Sequence, residues 1–121
     1  MSAVPIWGWA LAVGVGGLGA LLRTFLVRAL SRHEFPVGVL IANALASTVG
    51  AAAIGRAPML DPVWIVVIVG GFCGGLSTLS TLAADTVELW IEGLRGVAVR
   101  NVLANVAIGL GAAWAAYVIA S

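Results

Sequence analysis

The chain has 121 residues, of which 62% are hydrophobic and 9% charged, and its mean hydropathy is +1.14. A soluble domain runs roughly 45–50% apolar and about 25% charged, so this composition excludes an ordinary soluble fold. The net charge of +1 gives no general attraction to nucleic acid, and a single cysteine, Cys73, excludes an internal disulfide or a thiolate cluster.

A bilayer core of about 30 Å needs about 20 apolar residues in a helix. Uncharged runs that meet this need cover residues 1–22, 35–55, 62–84 and 102–121. They predict helices at about 5–29, 37–55, 63–90 and 100–119, joined by connections at 30–36, 56–62 and 91–99. A signal peptide is the other reading of the first run. It lacks a basic leading region and exceeds the ~7–15 residues of a cleavable apolar core, so a spanning helix is expected. Pro5, Pro36, Pro58 and Pro62 fall at proposed helix ends, where a missing N–H does little harm. The whole chain, 1–121, reads as a single all-α membrane domain.

The first span carries Gly14-Val-Gly16-Gly17-Leu-Gly19, which matches a dinucleotide-binding fingerprint. That reading fails because no strand precedes it and no βαβ unit can form. Close helix–helix contact explains the glycines better, since small residues let backbones approach in lipid. Arg23 lies at the inner end of this span, where it can snorkel to the headgroups or draw anions toward a vestibule. His33 falls in the first loop among charged neighbours and reads as solvated surface. Asn43 stands alone in the middle of the second span, where an amide in hydrocarbon needs hydrogen-bonding partners.

In the third span, Gly70, Gly71, Gly74 and Gly75 are followed by Ser77, Thr78, Ser80 and Thr81. Glycine weakens a helix and Ser/Thr compete for its backbone bonds, so a break is expected near 74–77. Non-helical backbone at this depth is tolerated only where protein buries it or a cavity runs past it. Freed carbonyls there suit a cation. Asp85 follows the break and is a candidate partner for it. On the fourth span Asn101 and Asn105, spaced i, i+4, share a face and predict a polar stripe. Cys73 reads as apolar filling. Small residues on all four faces predict tight packing between chains as well, in a dimer.

Arginine counts set the orientation. Arg28, Arg32, Arg95 and Arg100 lie on one side, with Arg23 just inside it, against Arg56 alone on the side of the two termini. Both termini are therefore expected outside the plasma membrane, with the first and third loops in the cytoplasm. Trp7, Trp9, Trp64, Trp114 and Tyr117 fall near one interface and Trp90 near the other, as aromatic belts do.

These residues resemble the Fluc/CrcB family of small fluoride channels. Gly16-Gly-Leu-Gly-Ala-Leu-Leu-Arg23 is similar to the family's first-helix signature. Gly38-Val-Leu-Ile-Ala-Asn43 is similar to its second helix with the pore asparagine. Gly71-Phe-Cys-Gly-Gly-Leu-Ser-Thr-Leu-Ser-Thr-Leu82 is similar to its broken third helix, and the match runs colinearly from about residue 14 to 105. The resemblance implies an antiparallel dimer with two pores and a structural Na⁺ on the two-fold axis, held by backbone carbonyls at Gly74 and Ser77. It implies passive fluoride export past Asn43, Ser80, Thr81, Asn101 and Asn105, with Arg23 at the mouth. The family's T-T-F-S-T-F pattern is altered: Leu79 and Leu82 stand at both phenylalanine positions, and leucine has no ring edge of partial positive charge to offer an anion. Asn101 and Asn105 stand where the family often has Tyr and Ser, and Asp85 replaces the usual Glu.

The arginine asymmetry adds an expectation. A chain inserted one way only needs a second chain of opposite bias to complete an antiparallel dimer, so a heterodimer with a homologous subunit is expected. A non-conducting partner subunit is the alternative that Leu79 and Leu82 suggest. A small proton-coupled multidrug exporter also has four short spans, but it needs a membrane-embedded carboxylate, and the first two spans carry none. No nucleophile–base arrangement or metal-ligand spacing points to an enzyme.

Overall fold

The computed structural model describes residues 3–30 and 35–121; Arg32 and His33 lie outside them. Among the described residues there is no strand, and four helical segments are long and apolar enough to cross a membrane: Ile6–Ala29, Val37–Gly55, Pro62–Ile91 and Arg95–Ala120. They alternate in direction. The first span packs along the leading half of the third, and the second packs along the fourth.

Small residues decide these pairings. A Cβ on Gly19 would meet the Phe72 carbonyl oxygen at 2.5 Å, and one on Gly71 would meet the Ala12 carbonyl oxygen at 2.6 Å. A Cβ on Gly75 would run into the Gly16 carbonyl. Gly16 and Gly19 thus form a flat strip for the third span, as close approach in lipid requires. Gly14 and Gly17 of the same run face open space and have no part in it.

The core follows the same rule. Ala42, Ala46, Cys73 and Leu76 form one buried cluster, with Leu22, Leu26, Val49, Ile68 and Phe72 packed round it. Ala12, Val63 and Val67 form another near the termini. The large apolar side chains point outward instead, among them Leu18, Phe25, Leu103, Leu110 and Ile119. A soluble protein would bury these residues; a lipid-facing one has no reason to.

The third span is irregular. It is α-helical at Pro62–Ile65, where Asp61 accepts the Val63 N–H at 3.0 Å as an N-cap. It widens to a π-helix over Val66–Cys73, a winding that is rare beyond a single turn. It returns to α at Gly74–Leu76. Ser77 (φ −77°, ψ 153°) and Thr78 (φ −151°, ψ 117°) are then extended, and the helix resumes at Leu79–Ile91. The break is real and falls at the end of the expected window, because Thr78 serves as the N-cap of the resumed helix, its Oγ accepting the Thr81 N–H at 3.1 Å.

The fourth span begins at Arg95, five residues before the expected start, and the connection before it is only a tight turn. The Gly93 N–H donates to the Trp90 carbonyl at 3.2 Å and the Leu94 N–H to the Leu89 carbonyl at 2.9 Å. Gly93 itself has φ +86°. These are the two bonds and the left-handed glycine of a Schellman helix end, a stop that Gly93 signals and that charge counting overlooks.

Candidate functional site

The break sits where three spans meet, and the Asn43 carboxamide holds it open. In a continuous helix the Thr78 N–H would go to the Gly74 carbonyl. Instead it donates to Asn43 Oδ1 at 2.8 Å, while Asn43 Nδ2 donates back to the Thr78 carbonyl at 3.2 Å. One side chain thus pairs with both polar groups of Thr78's backbone, as a neighbouring strand would. The exchange lets the chain leave helical geometry without orphaning a buried N–H, which would otherwise cost about 1–3 kcal/mol.

From Asn43 a line of polar groups crosses to the fourth span. Asn43 Nδ2 also donates to Asn105 Oδ1 at 3.0 Å. Asn105 Nδ2 donates to the Asn101 carbonyl at 2.8 Å and to Asn101 Oδ1 at 3.1 Å. Asn101 Nδ2 donates to Thr86 Oγ1 at 3.0 Å, and Thr86 Oγ1 donates to the Leu82 carbonyl at 2.7 Å. Asn101 is 0% exposed and Asn105 8%, so the line lies inside the protein. Among the described residues no buried side-chain nitrogen or oxygen lacks a partner.

Beside this line lie the hydroxyls of the break. Thr78 Oγ1 donates to Thr81 Oγ1 at 3.0 Å and lies 3.4 Å from Ser80 Oγ. Thr81 is half-buried and Ser80 exposed. The structure therefore brings together Asn43, Ser80, Thr81, Asn101 and Asn105. Two residues of the network, Thr78 and Thr86, escape the sequence reading as site members. Thr78 had a legible signal, a threonine just before an apolar helical run; Thr86 had none short of knowing which spans pack.

Other expected residues stand apart. Arg23 is half-buried in the C-terminal part of the first span and takes no part in the network. Asp85 is half-buried and makes no bond to the break. Leu79 is 78% exposed and Leu82 half-buried. Gly74 and Ser77 are exposed and edge a shallow depression of about 280 Å³ with Ala46, Ser47, Gly50, Val69 and Cys73. Among the described residues no three His, Cys, Asp or Glu side chains gather to hold a metal; backbone carbonyls are the donors on offer.

A mid-membrane gap in a helix, lined by hydroxyls and backed by amides, suits a desolvated ion better than an organic substrate. Comparison with known proteins points the same way. A family model described as CrcB-like protein, camphor resistance (CrcB), matches residues 10–117. A fluoride-specific ion channel FluC of Proteus mirabilis is 39% identical over 105 residues, covering 81% of this chain and 84% of the relative. One of Pseudomonas aeruginosa is 41% identical over 107 residues, covering 84% of each. One of Escherichia fergusonii is 44% identical over 95 residues, covering 74% of this chain and 75% of the relative. The chain is a multi-pass membrane protein that belongs to the CrcB-like family.

Proposed function

We propose that this chain is a subunit of a fluoride channel that lets cytoplasmic fluoride leave the cell passively. The carrying observation is the break at Ser77–Thr78, held open by Asn43 and lined by Ser80 and Thr81, in a chain whose relatives are named for fluoride conduction. Fluoride holds its water strongly, and replacing that water needs several compact donors at once. Hydroxyls of Ser80 and Thr81 and the amide of Asn43 are such donors, with Asn101 and Asn105 behind them along the path. Arg23, at the inner end, raises the local anion concentration. Nothing in this reading calls for a catalytic group.

The Gly74 and Ser77 carbonyls suit a structural Na⁺. The Gly74 carbonyl loses its helical donor to Asn43, and both residues are exposed. Two carbonyls from one chain are too few for a hard cation, which takes about six oxygens; a second subunit on the same axis supplies more. The ion would tie two breaks together and screen their carbonyls from a passing anion. The second subunit is antiparallel in this reading. Because Arg28, Arg95 and Arg100 oppose Arg56 alone among the described residues, it is a homologous chain of opposite bias, with both termini of the present chain outside the plasma membrane.

Leu79 favours a second reading. Its side chain is 78% exposed at a phenylalanine position of the resemblance, and leucine offers an anion nothing. In that reading the chain completes a partner's pore without conducting along its own. Fluoride efflux from liposomes separates the two. Efflux from this chain alone supports conduction without a partner, and efflux only with a homologue of opposite arginine bias supports the paired channel. No efflux in either case overturns the fluoride reading.

A further inference from the structure

The direction of every amide between Thr78 and Leu82 is fixed from both ends. The Thr78 N–H can only donate, so it holds the oxygen of Asn43. The Leu82 carbonyl can only accept, so it takes the hydroxyl hydrogen of Thr86 and leaves Thr86 Oγ1 to accept from Asn101 Nδ2. Between these ends Asn101 Oδ1 must face Asn105 Nδ2, and Asn105 Oδ1 must face Asn43 Nδ2. A carboxamide has two hydrogens on nitrogen. Those of Asn43 go to the Thr78 carbonyl and to Asn105 Oδ1, and those of Asn105 go to the Asn101 carbonyl and Asn101 Oδ1.

An anion that draws on Asn43 must therefore displace an acceptor already in place. The Asn105 bond, at 3.0 Å, is the shorter of the two that Nδ2 makes, and Asn105 cannot turn away without losing both of its own donations to Asn101. We propose that Asn105 is an internal competitor for the anion: its Oδ1 holds the Asn43 amide hydrogen and thereby limits how fast fluoride passes. This rests on the fluoride reading above and adds a residue that sets the rate of conduction. Asn101 and Thr86 act through Asn105, as positioning residues.

The test uses Asn105→Leu, of similar size and without an acceptor, and Asn105→Asp, which keeps an acceptor for Asn43 and adds a negative charge. In liposomes the leucine variant is expected to pass fluoride roughly five- to tenfold faster than the wild type, the worth of one neutral hydrogen bond. The aspartate variant is expected to pass it more slowly. The rise in the leucine variant is the diagnostic result, because mere damage to packing would slow it, whereas a carboxylate also slows an anion by repulsion. A second readout is binding itself: the side-chain NH₂ resonances of Asn43, followed by NMR in micelles, are expected to shift at lower sodium fluoride concentration in the leucine variant than in the wild type.

A leucine variant no faster than a conducting wild type, with the same elution profile, overturns the competitor role and leaves the fluoride reading standing. So does an Asn43 amide that needs as much fluoride to shift in the leucine variant as in the wild type. No flux through the wild type or either variant, with or without a homologue of opposite arginine bias, overturns both.

Discussion

Replacing Gly71 by alanine tests how the first and third spans are held together. The added Cβ would lie 2.6 Å from the Ala12 carbonyl oxygen and 3.0 Å from the Ala12 Cα. Both are backbone atoms inside a helix, so no rotamer can turn away. Ordinary contact begins at 3.4 Å, so the two spans must part by about 0.8 Å. A gap of that order forfeits about a quarter to a half of the dispersion well of each facing atom pair. Overpacking a tight site costs about 1–3 kcal/mol. Two unyielding backbones put Gly71→Ala at the upper end, a loss of about 3 kcal/mol, or roughly a hundredfold in the folding equilibrium. The assay is unfolding in mixed micelles by added dodecyl sulfate, followed by tryptophan fluorescence. Gly14→Ala and Gly111→Ala are the controls, because a Cβ at either meets nothing within 4 Å; alanine's helix preference should leave them as stable as the wild type or up to about 1 kcal/mol more so. A Gly71→Ala protein as stable as the Gly14→Ala one would refute the claim that backbone contact at these glycines sets the spacing of the spans.

Two further substitutions separate the roles of the break. Thr78→Val keeps the shape but removes the oxygen that caps the resumed helix; it should lower stability by about 1 kcal/mol in the same unfolding assay, while Thr78→Ser restores most of the loss. Leu79→Phe meets no obstacle within the chain, since Leu79 is 78% exposed, and it returns a ring edge to that position. Fluoride efflux from liposomes should rise with chloride permeability unchanged, and an unchanged fluoride rate would remove position 79 from the anion path.

The four spans were legible because hydrophobic length alone specifies them, and the break was legible because glycine next to clustered hydroxyls cannot sustain a helix in lipid. Asn101 and Asn105 were legible as a stripe, since i, i+4 spacing fixes a shared face. What they point at was not, because the pairing of the second and fourth spans depends on small-residue contacts such as Gly55 against the Tyr117 carbonyl and Gly109 against Ser47. The π-winding of Val66–Cys73 leaves no periodic signal, as eight nearly uniform apolar residues look alike at any number per turn. Glycine was informative as a class and mute position by position: Gly16 and Gly17 are adjacent in sequence, yet a Cβ on one would press against the Gly71 carbonyl and a Cβ on the other would meet nothing.

The Schellman stop at Gly93 also bears on how the protein is made. The link between Ile91 and Arg95 is short enough for the last two spans to enter the bilayer together, as a helical hairpin. The turn is braced at its base by Arg95, whose guanidinium carbon sits 4.9 Å from the centre of the Trp90 ring. Arg95 and Arg100 would then act as one topogenic signal for the pair. Relocating those two charges to the far end of the fourth span would invert the hairpin as a unit, and a glycosylation tag at the C-terminus would report the reversal.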